Sequence, residues 1–162
     1  MKRNISFAIA AAATAATTAT ALWLAVPAGA VSVSGTENVQ IMTTSATSST
    51  FSVIAHGVFT VAGVDHSGRK VDTLVFANGS FKMTHTGKAR QTFNPKTCLV
   101  TISEKAVITL SGGTGAYKGI SGKGTAQASI LAIGAKSGGK CSMTKPPVAL
   151  QQVIKATASV TL

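Results

Sequence analysis

Residues Gly112 to Thr125 carry six glycines in fourteen positions and the only tyrosine of the chain, Tyr117. A helix cannot run through such a stretch, because each interior glycine costs about 1 kcal/mol relative to alanine. The flanks alternate apolar and polar residues with a period of two, in Ala106 to Leu110 before it and Ala126 to Ile133 after it. Two long strands must therefore meet here at a tight corner. Gly112, Gly113, Gly115 and Gly119 shape the turn, and Tyr117 is expected to pack or hydrogen-bond within it.

Motifs that use similar glycines do not fit. Lys123 follows Gly122 but precedes Gly124, where a phosphate loop needs Ser or Thr. A dinucleotide fingerprint would need glycine where Lys118 stands, and a helix after it. A nucleophile elbow spaces its glycines differently around the serine from Ser121 here.

The same alternation runs through the rest of the chain from Phe51 onward. Phe51, Val53, Ala55, Gly57, Phe59 and Val61 share a face, with His56 on the other; Gly63 to Arg69, which contains Asp65 and His66, reads as a turn. Asn78-Gly79 between two strand-like runs predicts a hairpin on a type I′ turn. A two-residue loop at those positions pairs Phe76 with Phe81, Leu74 with Met83 and Asp72 with His85, all on the more apolar, inward face. Asn78-Gly79-Ser80 is also a formal glycosylation sequon, but the hairpin explains it better. Thr86 to Lys96 reads as a basic polar connection. In the run Thr97 to Leu110 the even positions are inward; Glu104 either follows them or is released to solvent by a bulge. The closing strand, Val148 to Leu162, alternates without interruption.

The ends and composition set the compartment. Lys2 and Arg3, an uncharged apolar stretch from Ile5 to Val26 and the small-x-small site Ala28-Gly29-Ala30 read as an export signal over 1–30, cleaved after Ala30. Cleavage leaves no transmembrane anchor and a secreted, extracellular chain. The Ser/Thr-rich residues 31–50 are expected to be a flexible N-terminal segment, with an edge strand over 31–34 as the alternative; the domain is expected to span 51–162. Two cysteines in an exported chain, Cys98 and Cys141, predict one disulfide. Removing Lys2 and Arg3 leaves 13 basic residues against 4 acidic ones, a net charge of about +9. That balance suits an anionic cell surface. Specific nucleic-acid binding is not expected, since no aromatic side chains interleave with the basic stretches.

Without an amphipathic helix, and with turn signals at short spacing, the chain is expected to be all-β: one antiparallel barrel of about eight strands. Gly112-Gly113-Thr114-Gly115-Ala116-Tyr117-Lys118-Gly119, followed by Gly122-Lys123-Gly124-Thr125, resembles the glycine segment of the allene oxide cyclase-like and dirigent-like barrels. Val71-Asp72-Thr73, Asn94-Pro95-Lys96-Thr97-Cys98 and Ser103-Glu104-Lys105 are similar to stretches of small secreted actinobacterial proteins with this barrel. The resemblance covers roughly 51–162 and implies an eight-stranded barrel with a central cavity. In the plant members that cavity steers a reactive intermediate; no motif here carries a plant catalytic residue onto a numbered position.

The site expectations follow. Leu74, Phe76, Phe81 and Met83 are taken to line a pocket for a small hydrophobic ligand. Asp72, His85 and Glu104 are the candidates for acid–base chemistry in it, as in a cyclase- or dirigent-type isomerase; the bland reading puts Asp72 and His85 at a hydrated rim. No metal and no cofactor is expected. A basic adhesion protein without a pocket is the third reading.

Overall fold

The computed structural model describes residues 32–142 and 144–162. The expected export signal lies outside the described residues. Eight long strands close into one antiparallel barrel: β1 (Ser34–Thr43), β2 (Thr50–His56), β3 (Thr60–His66), β4 (Val71–Phe76), β5 (Gly79–Asn94), β6 (Leu99–Ser111), β7 (Ser121–Ile133) and β10 (Ala149–Thr161). Two short strands, β8 (Lys136–Ser137) and β9 (Lys140–Cys141), form a separate ribbon between β7 and β10. The strands run up and down in chain order, and β1 closes the barrel against β10 from Ser34↔Thr161 to Thr43↔Gln152. Closure removes the exposed edges that an open sheet would leave. Among the described residues no helix is long and apolar enough to cross a membrane.

Several expectations need correction. Residues 34–43, expected to be flexible, are a full barrel strand bonded to both β10 and β2. Glu37, Val39 and Ile41 point inward from it; the acidic residue at the first inward place hides the apolar alternation. The barrel therefore begins at Ser34, and only residues 44–49 link β1 to β2. The turn expected over 63–69 is shorter, since β3 continues to His66 and buries Asp65. The basic stretch 86–94 continues β5 and pairs with β6 as far as Asn94↔Leu99. Parity holds along β6 without a bulge, so Glu104 faces inward with Ile108 and Leu110.

The hairpin register is shifted by two residues. Phe76 pairs with Gly79, Leu74 with Phe81 and Asp72 with Met83, so the loop is Ala77-Asn78. Neither loop residue has positive φ, which a type I′ turn would require. The glycine corner gives the reason. Its Thr114 and Ala116 N–H groups donate to the Ser80 and Asn78 carbonyls, at 2.8 and 2.9 Å. Gly79, at φ +150°, lies against the Thr114 carbonyl, where a Cβ could not fit. Docking of one loop on the other overrides the local turn preference.

That docking closes one end of the barrel. Tyr117, on a single 3-10 turn (Gly115–Tyr117), is 2% exposed and inserts among Phe59, Phe76 and Phe81, with ring centroids 5.0 to 5.4 Å from its own. Val39, Ile41, Val53, Leu74, Leu110 and Val160 fill the surrounding core. At the other end Cys98 and Cys141 form the expected disulfide. It ties the β5–β6 turn to the ribbon β8–β9.

Candidate ligand site at the open end of the barrel

The charges are sorted by the barrel wall. All 13 lysines and arginines among the described residues are exposed. Glu37, Asp65 and Asp72 are buried, and Glu104 is half-buried on the inner face. No lysine or arginine among the described residues reaches a carboxylate to form an ion pair. Every acidic side chain of the chain thus belongs to the interior, although two of them, Glu37 and Asp65, lie where a flexible segment and a turn were expected.

Three of the four acids gather towards the end opposite the tyrosine plug. A cavity of about 130 Å³ opens there, with Asp72, His85 and Glu104 in its wall. Ala106, Ala126 and Ala128 supply small side chains, which leave the space, and Met83, Ile108, Ile130 and Ile154 supply apolar surface. Ser67 and Gly68, from the loop between β3 and β4, and Gln152 complete it. None of those last three was singled out from the sequence.

Asp72 is 3% exposed. Its Oδ1 accepts a hydrogen bond from the Gly68 N–H at 2.9 Å, which folds the loop over the site. Its Oδ2 lies 3.8 Å from His85 Nε2, close enough to attract a protonated imidazole and too long for a direct hydrogen bond. The two residues are diagonal neighbours and not the directly opposed pair expected. The His85 N–H donates to the Lys70 carbonyl at 2.9 Å, which fixes its backbone at the rim. Glu104 pairs in register with Ala89 and Ala128, so nothing large flanks it. Its Oε1 sits over Gly87, only 2.6 Å from where a Cβ on that residue would be.

Of the expected pocket residues, only Met83 reaches this cavity. Leu74, Phe76 and Phe81 are 0%, 5% and 0% exposed and belong to the packed closed half. The tyrosine plug explains this: the aromatic residues are used up in closing the barrel.

Asp65 stands between Phe51 and Leu74 on neighbouring strands. Neither of its carboxylate oxygens finds a hydrogen-bond partner among the described residues. Burial pushes it up to about 7, and the charge of Asp72 adds to the shift. Glu37 occupies the closed half, where its Oε2 accepts from the Phe59 N–H at 3.1 Å. Burial raises it too, against the lowering effect of the Phe59 and Val58 backbone and of His56. No group of three or more metal-type side chains converges among the described residues.

Fold and site together define a class: a closed eight-stranded antiparallel barrel, plugged by aromatic side chains at one end and hollow, with carboxylates, at the other. No family model, curated protein or solved structure compared with the chain matches it.

Proposed function

We propose that the protein is an exported binding protein whose open half holds a ring-sized, mainly apolar group with a positively charged head. The observation that carries this reading is the cavity whose wall combines Asp72 and Glu104 with alanine and isoleucine side chains. Its size decides how much of a ligand fits. A space near 150 Å³ takes one benzene-sized group, and whole drug-sized ligands need roughly 300 Å³ or more; 130 Å³ therefore admits one ring or a short branched chain. The preference for a cation follows from charge. No lysine or arginine lines the cavity, so an ammonium head would find two carboxylates with only the His85 imidazole as a competing partner. The Cys98–Cys141 disulfide supports the exported location expected from residues 1–30.

A panel of benzylamine, benzyl alcohol and benzoate tests the reading by thermal shift and by NMR titration of Met83 and Ile154 methyls. The expected order is benzylamine first and benzoate last, with Asp72→Asn and Glu104→Gln each weakening benzylamine. If none of the three perturbs these methyls, the cavity is not a binding site.

The Asp72–His85 pair favours a second reading on the same site, an isomerase of the cyclase or dirigent type that the glycine segment resembles. A carboxylate beside an imidazole at the edge of an apolar cavity is a suitable acid–base couple. The closed barrel is compatible with that resemblance, but a fold is shared by many activities. In that case His85→Ala would abolish turnover of a bound ligand without abolishing its binding.

A further inference from the structure

The outer wall carries a second site. One cross-strand row runs Lys88↔Lys105↔Gln127↔Lys155 over β5, β6, β7 and β10, every member directly opposite the next. Neighbouring strands lie about 4.8 Å apart, so Lys88 and Lys105 face each other at roughly that spacing and Lys155 follows at about 10 Å from Lys105. Like charges placed directly opposite destabilise a sheet. Among the described residues none of these lysines forms an ion pair; Glu104, the one acid that reaches the groove lining, is half-buried on the inner face. Arg90, two residues beyond Lys88 on the same face, adds a fourth cation.

The row lies in a depression. Its inner-face neighbours are Gly87↔Ala106↔Ala126↔Ala156, a row of small side chains that lets the wall dip. The resulting groove has a volume of about 1190 Å³; the four cations line it together with hydroxyl and amide side chains, among them Thr125, Gln127 and Thr157, with Val107, and with one acid, Glu104, at its floor. It exceeds the size of ordinary small-molecule pockets. No aromatic side chain lines it, so bases would find nothing to stack on.

We propose that this groove binds a segment of an acidic polysaccharide, its oxyanions against Lys88, Lys105, Lys155 and Arg90 and its hydroxyls against the threonines and Gln127. The bound oxyanions neutralise the opposed lysines, and the polymer runs along the row across the four strands. The groove shares Glu104, Ala106 and Ala126 with the interior cavity, but its cations all stand on the outer face.

Polygalacturonate is the probe, with neutral dextran and an oligothymidylate as comparators, titrated against the full exported chain at low and at physiological salt. The protein is expected to bind polygalacturonate, more weakly as salt rises, and to ignore dextran. The triple variant K88Q/K105Q/K155Q is expected to bind about tenfold more weakly or worse. A control triple, K123Q/K136Q/K140Q, removes the same charge elsewhere on the exposed surface and is expected to keep the affinity. Melting curves confirm that both variants fold. Equal losses in the two triples would reduce the effect to net charge and overturn the site. So would absence of binding to polygalacturonate, or equal or tighter binding of the oligothymidylate.

Discussion

The Tyr117 hydroxyl donates a 2.9 Å hydrogen bond to the Asn78 side-chain oxygen, joining the glycine corner to the turn between β4 and β5 across 39 residues of sequence. The ring below that hydroxyl is the plug of the closed end. Two interactions of different kinds therefore fix one side chain: a polar contact at the rim and aromatic packing in the core. Burial raises the Tyr117 hydroxyl's pKa, the Asn78 bond opposes the shift, and Glu37 adds to it.

The two contributions are separable. Tyr117→Phe keeps the ring and loses the bond, at a cost of about 1 kcal/mol. Tyr117→Ala also empties the centre of a cluster that includes Phe59, Phe76 and Phe81, at a cost of about 3–5 kcal/mol. Urea unfolding of both variants measures the difference. Equal losses would mean that the hydroxyl alone anchors the corner and that the packing account is wrong.

Much of this architecture was legible in the sequence, and what was not has identifiable causes. The alternation in Phe51–Ala55, Leu74–Phe76 and Ala156–Val160 marks inward faces because apolar residues occupy them. The same rule fails at Glu37 and Asp65, where a carboxylate occupies an inward place and the period-two signal breaks. Both residues were thereby assigned to irregular segments. The Asn78-Gly79 signal gives a hairpin at the right place and a register two residues off, because the deciding contact comes from Thr114 and Gly115, far along the chain. Asp72 and His85 are recoverable from parity alone; Glu104 also needs the unbroken register of β6, which the sequence leaves open. Ser67, Gly68 and Gln152 are not: their place in the cavity wall depends on how the β3–β4 loop folds back and how β10 meets β7.

Asp65 makes stability depend on pH in a definite direction. Its folded value is raised from 3.8 to about 7, so between these values the folded state holds a proton that the unfolded chain releases. The stabilisation from that proton is complete below about pH 4 and is lost as pH rises towards 7, with a ceiling on the order of 4 kcal/mol. Asp65→Asn cannot ionise, so its advantage over the native protein should grow across that window and level off above it. Denaturation midpoints of the two proteins at about pH 4.5 and pH 8 provide the comparison. A difference that stays constant with pH would mean that Asp65 does not titrate in the folded state.

The disulfide joins residues 43 apart, and closing a loop of that length contributes about 4 kcal/mol in the chain-entropy treatment. Its effect should be local as well as global. Cys98 is fully buried and its carbonyl accepts from the Gly134 N–H at 2.9 Å, so the bond holds the segment after β7 against the β5–β6 turn. The Cys98→Ser/Cys141→Ser variant is expected to melt lower and to exchange backbone hydrogens faster in residues 134–142 than around Tyr117. Uniform acceleration throughout the barrel would show that the bond acts on the whole fold and not on the open end.

Gly87 sets the position of Glu104. A Cβ at residue 87 would lie 2.5 Å from the Lys105 carbonyl oxygen, 2.6 Å from Glu104 Oε1 and 2.8 Å from the Ala106 Cβ. The carboxylate thus occupies part of the volume that a larger residue would claim, in the cavity wall that His85 also lines. Gly87→Ala should cost about 1–3 kcal/mol through overpacking. Part of that penalty belongs to Glu104 and part to Ala106 and the neighbouring backbone, and a double-mutant cycle separates them. In a Glu104→Ala background the cost of Gly87→Ala should fall, because the flexible half of the clash has been removed while the Ala106 contact remains. An unchanged cost would mean that the Lys105 carbonyl and Ala106, and not the carboxylate, set the penalty at Gly87.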